Sequence, residues 1–457
     1  MNGKKQKTNK KPSDSTGTGG RSISASELRE TVSDIVRRQR IYDIHTHLYA
    51  PRFGTPVANR TGKIDSAGLM LWGVEELVTY HYLVAEVYRV VPASKLPYEE
   101  FWHWPKSRQA DHIWKYLFVE NTPVSEACRG VLTTLSKLGL DPNEKSLDAY
   151  RRFFARQNPS DYIDRVMELS NVQTITMTNA VFDDNERHRW LADKTVGTDP
   201  RFKAVLRIDP LLRNFPQAAE KLSAWGYKTN GNLSPQSMDE VKRFLNEWMD
   251  RQRAIYMAVS LPPEFRYPAS PANTAAMAGQ TILEQAILPV CADRNVPFAM
   301  MIGSNLQTQP ALRDAGDTSG LSDVAAIARL CRDFSSNKFL VTMLARENQH
   351  ELCVTARKFG NLMPFGCWWF LNNPSLIAEI TQMRFELLGT SFIPQHSDAR
   401  ILDQLIYKWE HSRKVIAEAL ARMYTRIAET GRRITRGDIE HDVEKLLGGN
   451  FKSFLDQ

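Results

Sequence analysis

His45 and His47 stand two residues apart in "RIYDIHTHLYAPRFG", residues 40–54, whose first half has the apolar character of a buried strand. Side chains two apart on a strand point the same way, so the two imidazoles converge on one spot. Far along the chain, "PQHSDARI" supplies Asp398 and Arg400. Two neutral imidazoles and one carboxylate leave a Zn²⁺ with open positions for water or substrate, the arrangement a catalytic centre requires. For an isolated His-x-His the plainer alternative is two hydrogen-bonded strand histidines. His396 lies before the end of its run and reads as a core residue.

Other residues suited to chemistry are spread along the chain. His81 and Tyr82 are adjacent in "VTYHYLVAEVYR", where an amphipathic helix with packed rings is the alternative to a proton-handling pair. Arg207 sits in the apolar "VLRIDPLL" and needs a partner, either an anionic substrate group or a carboxylate such as Asp209. In "GCWWFLNNP", Trp368 and Trp369 could wall a pocket or fill the space at a strand end.

The elements that must position these residues are eight short runs, at 41–48, 172–179, 203–211, 254–261, 296–303, 338–345, 362–370 and 390–399. Most are continuously apolar, which suits parallel strands buried on both faces. Helical segments between the later runs are long enough for right-handed crossovers. The clearest is "NNPSLIAEITQMRFELLG", with Asn373 as N-cap, Pro374 at the first helical position and Gly389 as terminator. After the eighth run, Ile401, Leu402, Leu405, Ile406 and Trp409 share one helical face. Eight strands alternating with helices predict an α/β fold, a distorted (β/α)₈ TIM-like barrel, with a doubly wound sheet as the competing arrangement. In a closed barrel the first and eighth strands are neighbours, so His45, His47 and Asp398 can meet at one mouth. Residues 49–171 form a helical insertion after the first strand, and 26–457 make up the barrel with that insertion.

Composition narrows the class. The 457 residues are 42% hydrophobic and 24% charged, as in an ordinary globular protein. Of the net charge of +7, Lys4, Lys5, Lys7, Lys10 and Lys11 with Asp14 account for +4, leaving +3 beyond residue 20. That is too small to argue for nucleic acid, whose binding needs a concentrated basic face, and no nucleic-acid partner is expected. Residues 1–25 read as a disordered basic tail. No apolar stretch follows the tail lysines, and no run reaches the length of a membrane span, so a cytoplasmic protein without membrane contact is expected. Five scattered cysteines with no Cys-x-x-Cys pair argue against a disulfide framework.

Taken together, these motifs resemble the uronate (glucuronate) isomerases of the amidohydrolase superfamily over roughly residues 40–430. The His-x-His at His45 and His47, the His81-Tyr82 pair, Arg207, the Trp368-Trp369 pair and Asp398-x-Arg400 follow that family's order. The resemblance implies one divalent metal, zinc, held by His45, His47 and Asp398. It implies conversion of D-glucuronate to D-fructuronate, or of D-galacturonate to D-tagaturonate, through an enediol. On this reading Asp398 is the base, His81 and Tyr82 serve the carbonyl end, Arg400 steadies charge, and Arg207, Trp368 and Trp369 bind a small sugar acid. A homo-oligomer stays open.

One position departs from the family. Where its fifth strand has a histidine two residues before a glycine, this chain reads "FAMMIGSN" and places Met301 before Gly303. A thioether neither ionises nor donates a proton, so that histidine's task is dispensable here or the chain has diverged in substrate or activity. Two other functions remain: metal-dependent hydrolysis of a lactone, ester or amide, and sugar-acid binding without catalysis.

Overall fold

The computed structural model describes residues 23–54 and 68–457. Up to residue 22 the expected tail lies outside the described residues. Ile23 already joins the body, its N–H donating to the Ile434 carbonyl at 2.8 Å.

The strands are β1 (Ile41–Thr46), β2 (Val172–Met177), β3 (Phe202–Ala204), β4 (Leu206–Arg207), β5 (Met257–Leu261), β6 (Phe298–Ile302), β7 (Ser304–Asn305), β8 (Thr318–Ser319), β9 (Phe339–Met343) and β10 (Leu362–Pro364). They pair in parallel as β1-β2-β3 and as β10-β9-β6-β5-β4, while β7 and β8 form a separate antiparallel hairpin. β3 and β4 are one strand divided at Val205, whose N–H turns to Met177 O while that of Leu206 turns to Tyr256 O. The chain thereby passes from one sheet to the other.

The eighth run closes the circle without regular strand structure. Ile393 N–H donates to Pro364 O and Gly366 N–H to Ile393 O, joining it to β10, while Asp398 N–H donates to His45 O and His47 N–H to Ala399 O, joining it to β1. Pro394 has no N–H to give, and Asp398 is left-handed at φ 52°, so a ladder cannot run through. Side chains take over: Ser397 N–H donates to Asp43 Oδ1 and His396 N–H to Gln395 Oε1. The result is a distorted (β/α)₈ barrel.

β5, β6 and β9 are buried along their whole length, which accounts for their unalternating apolar sequences. Inside the barrel, Ile44, Tyr256, Ala258, Ala299 and Leu340 pack together, and Phe451 and Phe454 from the C-terminal helix Asn450–Asp456 close the end where the strands begin. The opposite end is left for the site.

Helix Pro374–Leu388 has the expected ends: Asn373 Oδ1 accepts from Leu376 N–H, and Gly389 stops it at φ 62°. Helix Gln404–Glu429 differs from the expected one-sided burial: Ile401 and Leu402 precede it, and its first turns are buried on every side, Tyr407 and Lys408 as well as Leu405, Ile406 and Trp409. The described part of the insertion is a set of helices, among them His81–Val90, Tyr98–His103 and Glu126–Lys137. No described helix is long and apolar enough to cross a membrane.

Candidate metal centre and active site

His45 and His47 share one face at the end of β1, and Asp398 reaches them because its left-handed backbone turns its carboxylate back toward that strand. Asp398 Oδ1 lies 3.3 Å from His45 Nε2 and 3.4 Å from His47 Nε2. One ligand atom from each residue falls within 4.8 Å of the others. Asp398 Oδ1 is buried without a hydrogen bond, and a buried carboxylate oxygen left unpaired is a natural cation ligand.

The protonation states suit a cation as well. Burial drives the His47 pKa down to about 3, helped by Arg400 and Arg207 and opposed by Asp398, so its imidazole is neutral and free to ligate. Burial works against the charge on Asp398, yet the two imidazoles facing it hold its pKa well below the usual carboxylate range. These three residues therefore fit a divalent metal with neutral nitrogen and anionic oxygen donors.

A cavity opens over this group, lined by His45, His47, His81, Arg207, Met301, Trp368, Trp369, Asp398 and Arg400. All but one of the sequence-selected site residues thus meet here. Tyr82 is the exception: it is not on the cavity wall and packs behind His81, their ring centres 4.6 Å apart. His81 begins its helix, its ring stacked on Tyr80 at 4.1 Å and facing Trp369 at 5.8 Å. Burial and the Arg400 charge push the His81 pKa well down, so it too is a neutral ring. Both His81 Nε2 and the Tyr82 hydroxyl are buried without hydrogen bonds.

Arg207 resolves in favour of the carboxylate partner. Its guanidinium donates to both oxygens of Asp209, at 2.7 and 3.2 Å, and to Ser260 Oγ at 2.8 Å. It still faces the cavity, with its position fixed by that fork. His396 is fully buried, its ring 5.0 Å from that of His45 and 5.3 Å from that of Phe365, and it is not among the residues lining this cavity. It packs behind His45, in keeping with a core role.

Five lining residues are not singled out in the sequence: Arg213, Ser260, Ser304, Leu306 and Asp317. Ser304 and Asp317 belong to the β7–β8 hairpin and its connection, which folds over the cavity. The hairpin is fastened to the insertion by Trp102 Nε1 donating to Ala311 O at 2.8 Å and by the Arg313 guanidinium 4.5 Å over the Trp102 ring. Asp314 meets Arg400 at 3.5 Å. Only Ser260 could have been suspected from sequence, as a polar residue near the end of an apolar run.

The solved structure of a uronate isomerase from Bacillus halodurans C-125 matches this chain with a TM-score of 0.88 and 48% sequence identity, covering 95% of this chain and 97% of that one. The chain belongs to the uronate isomerase family. A uronate isomerase from Thermotoga maritima and a glucuronate isomerase from Caulobacter crescentus share the fold at 14% identity each, with TM-scores of 0.72 and 0.71, covering 96% and 94% of this chain and 100% and 94% of theirs. No protein-family model matches the chain, and no curated protein does. Within this uronate isomerase family member, Met301 lies in register between Ser260 of β5 and Thr342 of β9 and is almost wholly buried at the cavity floor. The fifth strand therefore offers the site an apolar surface where the family resemblance calls for an imidazole.

Proposed function

We propose that this chain interconverts the aldose and ketose forms of a hexuronate, D-glucuronate with D-fructuronate or D-galacturonate with D-tagaturonate. The observation that carries the reading is the convergence of His45, His47 and Asp398 with His81, Arg207 and Arg400 on one cavity, in a chain 48% identical to a uronate isomerase. Two histidines and a carboxylate favour Zn²⁺, which when bound would polarise substrate oxygens as a Lewis acid. Five buried free thiols are in keeping with a reducing cytoplasm.

Isomerisation breaks the C2–H bond of the open-chain sugar, forms a C1–H bond, and moves the proton of the C2 hydroxyl to the C1 oxygen. Asp398, ionised at neutral pH, takes the C2 proton and returns it to C1 on the same face. Neutral His81, backed by Tyr82, hydrogen-bonds the carbonyl end and relays the hydroxyl proton. Arg400 at the rim and Arg207, held by Asp209, steady the substrate carboxylate and the enediolate with fixed cationic donors. Trp368 and Trp369 wall the sugar in and exclude water.

Incubation with each uronate in D₂O tests this. The ketose should form with some deuterium at C1, entering as protonated Asp398 exchanges with solvent before it returns its proton, and Asp398→Asn should abolish the conversion. Protein with a full metal complement that converts neither uronate but opens a sugar lactone would replace this reading with hydrolysis.

A further inference from the structure

Lys408 is a fully buried cation that the proposed chemistry does not use. It lies on helix Gln404–Glu429, only 3% exposed, and its Nζ donates to the Ser397 carbonyl at 2.6 Å. The same carbonyl accepts from Asn372 Nδ2 at 3.2 Å. The other end of that peptide, Asp398 N–H, donates to His45 O at 3.1 Å. The preceding amide, Ser397 N–H, is bound by Asp43 Oδ1 at 3.1 Å, and Asp43 is itself held by Trp409 Nε1 at 2.8 Å. Lys408 and Trp409 are adjacent, so one turn of the helix grips this segment through a buried cation and a buried carboxylate.

The gripped peptide is the one whose orientation sets φ of Asp398. At φ 52° that residue is left-handed, an unfavourable state for a residue with a Cβ, and such states persist only where the surroundings impose them. If the peptide were free to rotate, Asp398 would relax to negative φ and its carboxylate would swing off the two histidines. A buried ammonium is costly even with the charges of Asp398 and Asp43 nearby to offset it, and its hydrogen bond goes to this one carbonyl. Its location, one peptide ahead of the carboxylate, gives that expense a purpose.

We infer that Lys408 is a positioning residue for the metal centre: by locking the Ser397–Asp398 peptide through the Ser397 carbonyl it holds Asp398 in the left-handed conformation that aims its carboxylate at His45 and His47. Neither Lys408 nor Asn372 lines the cavity, so the effect runs through the ligand and not through substrate. The inference rests on the metal site proposed above.

The test uses metal-stripped full-length chain titrated with Co²⁺, following the cobalt ligand-field bands and the thermal midpoint with and without metal. Lys408→Met keeps the length and apolar stem of the side chain and removes its charge. It should weaken Co²⁺ binding by about 10- to 100-fold, the usual range for residues that orient a ligand, and should change the cobalt spectrum as Asp398 leaves the coordination sphere. Asn372→Ala, which removes the second donor to the same carbonyl, should weaken binding several-fold and decides the matter if Lys408→Met does not fold. A lower midpoint of the metal-free protein with unchanged Co²⁺ affinity and spectrum would show a purely structural lysine and overturn the inference. Wild-type protein that takes up no Co²⁺ would instead overturn the metal-site reading on which it depends.

Discussion

Replacing Glu186 by glutamine should flatten the stability of this protein between about pH 4.5 and pH 7 and make it the more stable form in alkaline solution. Glu186 is 3% exposed on the helix after β2, where its carboxyl accepts from Tyr49 OH at 3.2 Å and Trp190 Nε1 at 3.1 Å. Burial, with Asp183 adding repulsion and the two hydrogen bonds and Arg207 opposing, raises its pKa from the ordinary 4.5 to about 7. The folded chain then keeps this proton up to about pH 7, whereas the unfolded chain gives it up near 4.5. Between those values the folded state binds more protons, so raising the pH withdraws stability. The contribution is fully present below the unfolded value and lost by the time the pH has passed the folded one. At about 1.4 kcal/mol per pH unit of displacement, the loss amounts to about 3 kcal/mol. Glutamine keeps an acceptor oxygen for Trp190 Nε1, presents its amide NH₂ as a donor to the Tyr49 hydroxyl oxygen, and never ionises. Urea unfolding of metal-stripped wild type and Glu186→Gln from pH 4.5 to 8.5 measures the difference profile, which cancels other buried carboxyls such as Asp43 and Asp403. The two proteins should agree near pH 4.5 and diverge by about 3 kcal/mol at pH 8 in favour of the variant. Parallel profiles across that range would refute the assignment of a raised pKa to Glu186.

The remaining predictions concern the site. His45→Ala and His47→Ala should each lose the bound metal, because two protein ligands do not retain zinc in an open site; undiminished metal in both by elemental analysis would remove them from the centre. Gly366→Ala should lower the thermal midpoint and weaken metal binding at least tenfold. Gly366 has φ 65°, which costs a side chain about 1–2 kcal/mol, and its new Cβ would fall 1.8 Å from His396 Nδ1, driving that ring against His45. Wild-type affinity in this variant would show that His396 can move without disturbing the ligand behind which it packs. Met301→His should not raise uronate turnover, since the chain already joins His45, His47 and Asp398 at the cavity without that imidazole, and Ser260 and Thr342, the neighbours of Met301 in register, would engage it. A tenfold gain in kcat would mean that the missing histidine limits this enzyme.

Much of this protein is legible in its sequence because the relevant signals are local. Period-two placement of His45 and His47 on an apolar run, the continuous burial implied by "AMMI" and "FLVTM", and the Asn373-Pro374…Gly389 punctuation each depend on only a few consecutive residues. They correctly give strand, crossover and cap, and barrel closure then brings Asp398 to the first strand. Tertiary structure alone decided the rest, because it turns on contacts between distant segments. The eighth run reads as a strand, but Pro394 and the left-handed Asp398 break its ladder, and whether side chains such as Asp43 and Gln395 can replace the lost bonds depends on residues far away in the chain. Arg207 gives no sign in sequence of choosing Asp209 and Ser260 as its partners over a substrate anion. The hairpin that brings Ser304 and Asp317 over the cavity is set by its docking on Trp102, some two hundred positions earlier in the chain. Lys408 looks like one more polar residue on an amphipathic helix; only the packed fold buries it, with its Nζ donating to the carbonyl of Ser397, the residue before Asp398.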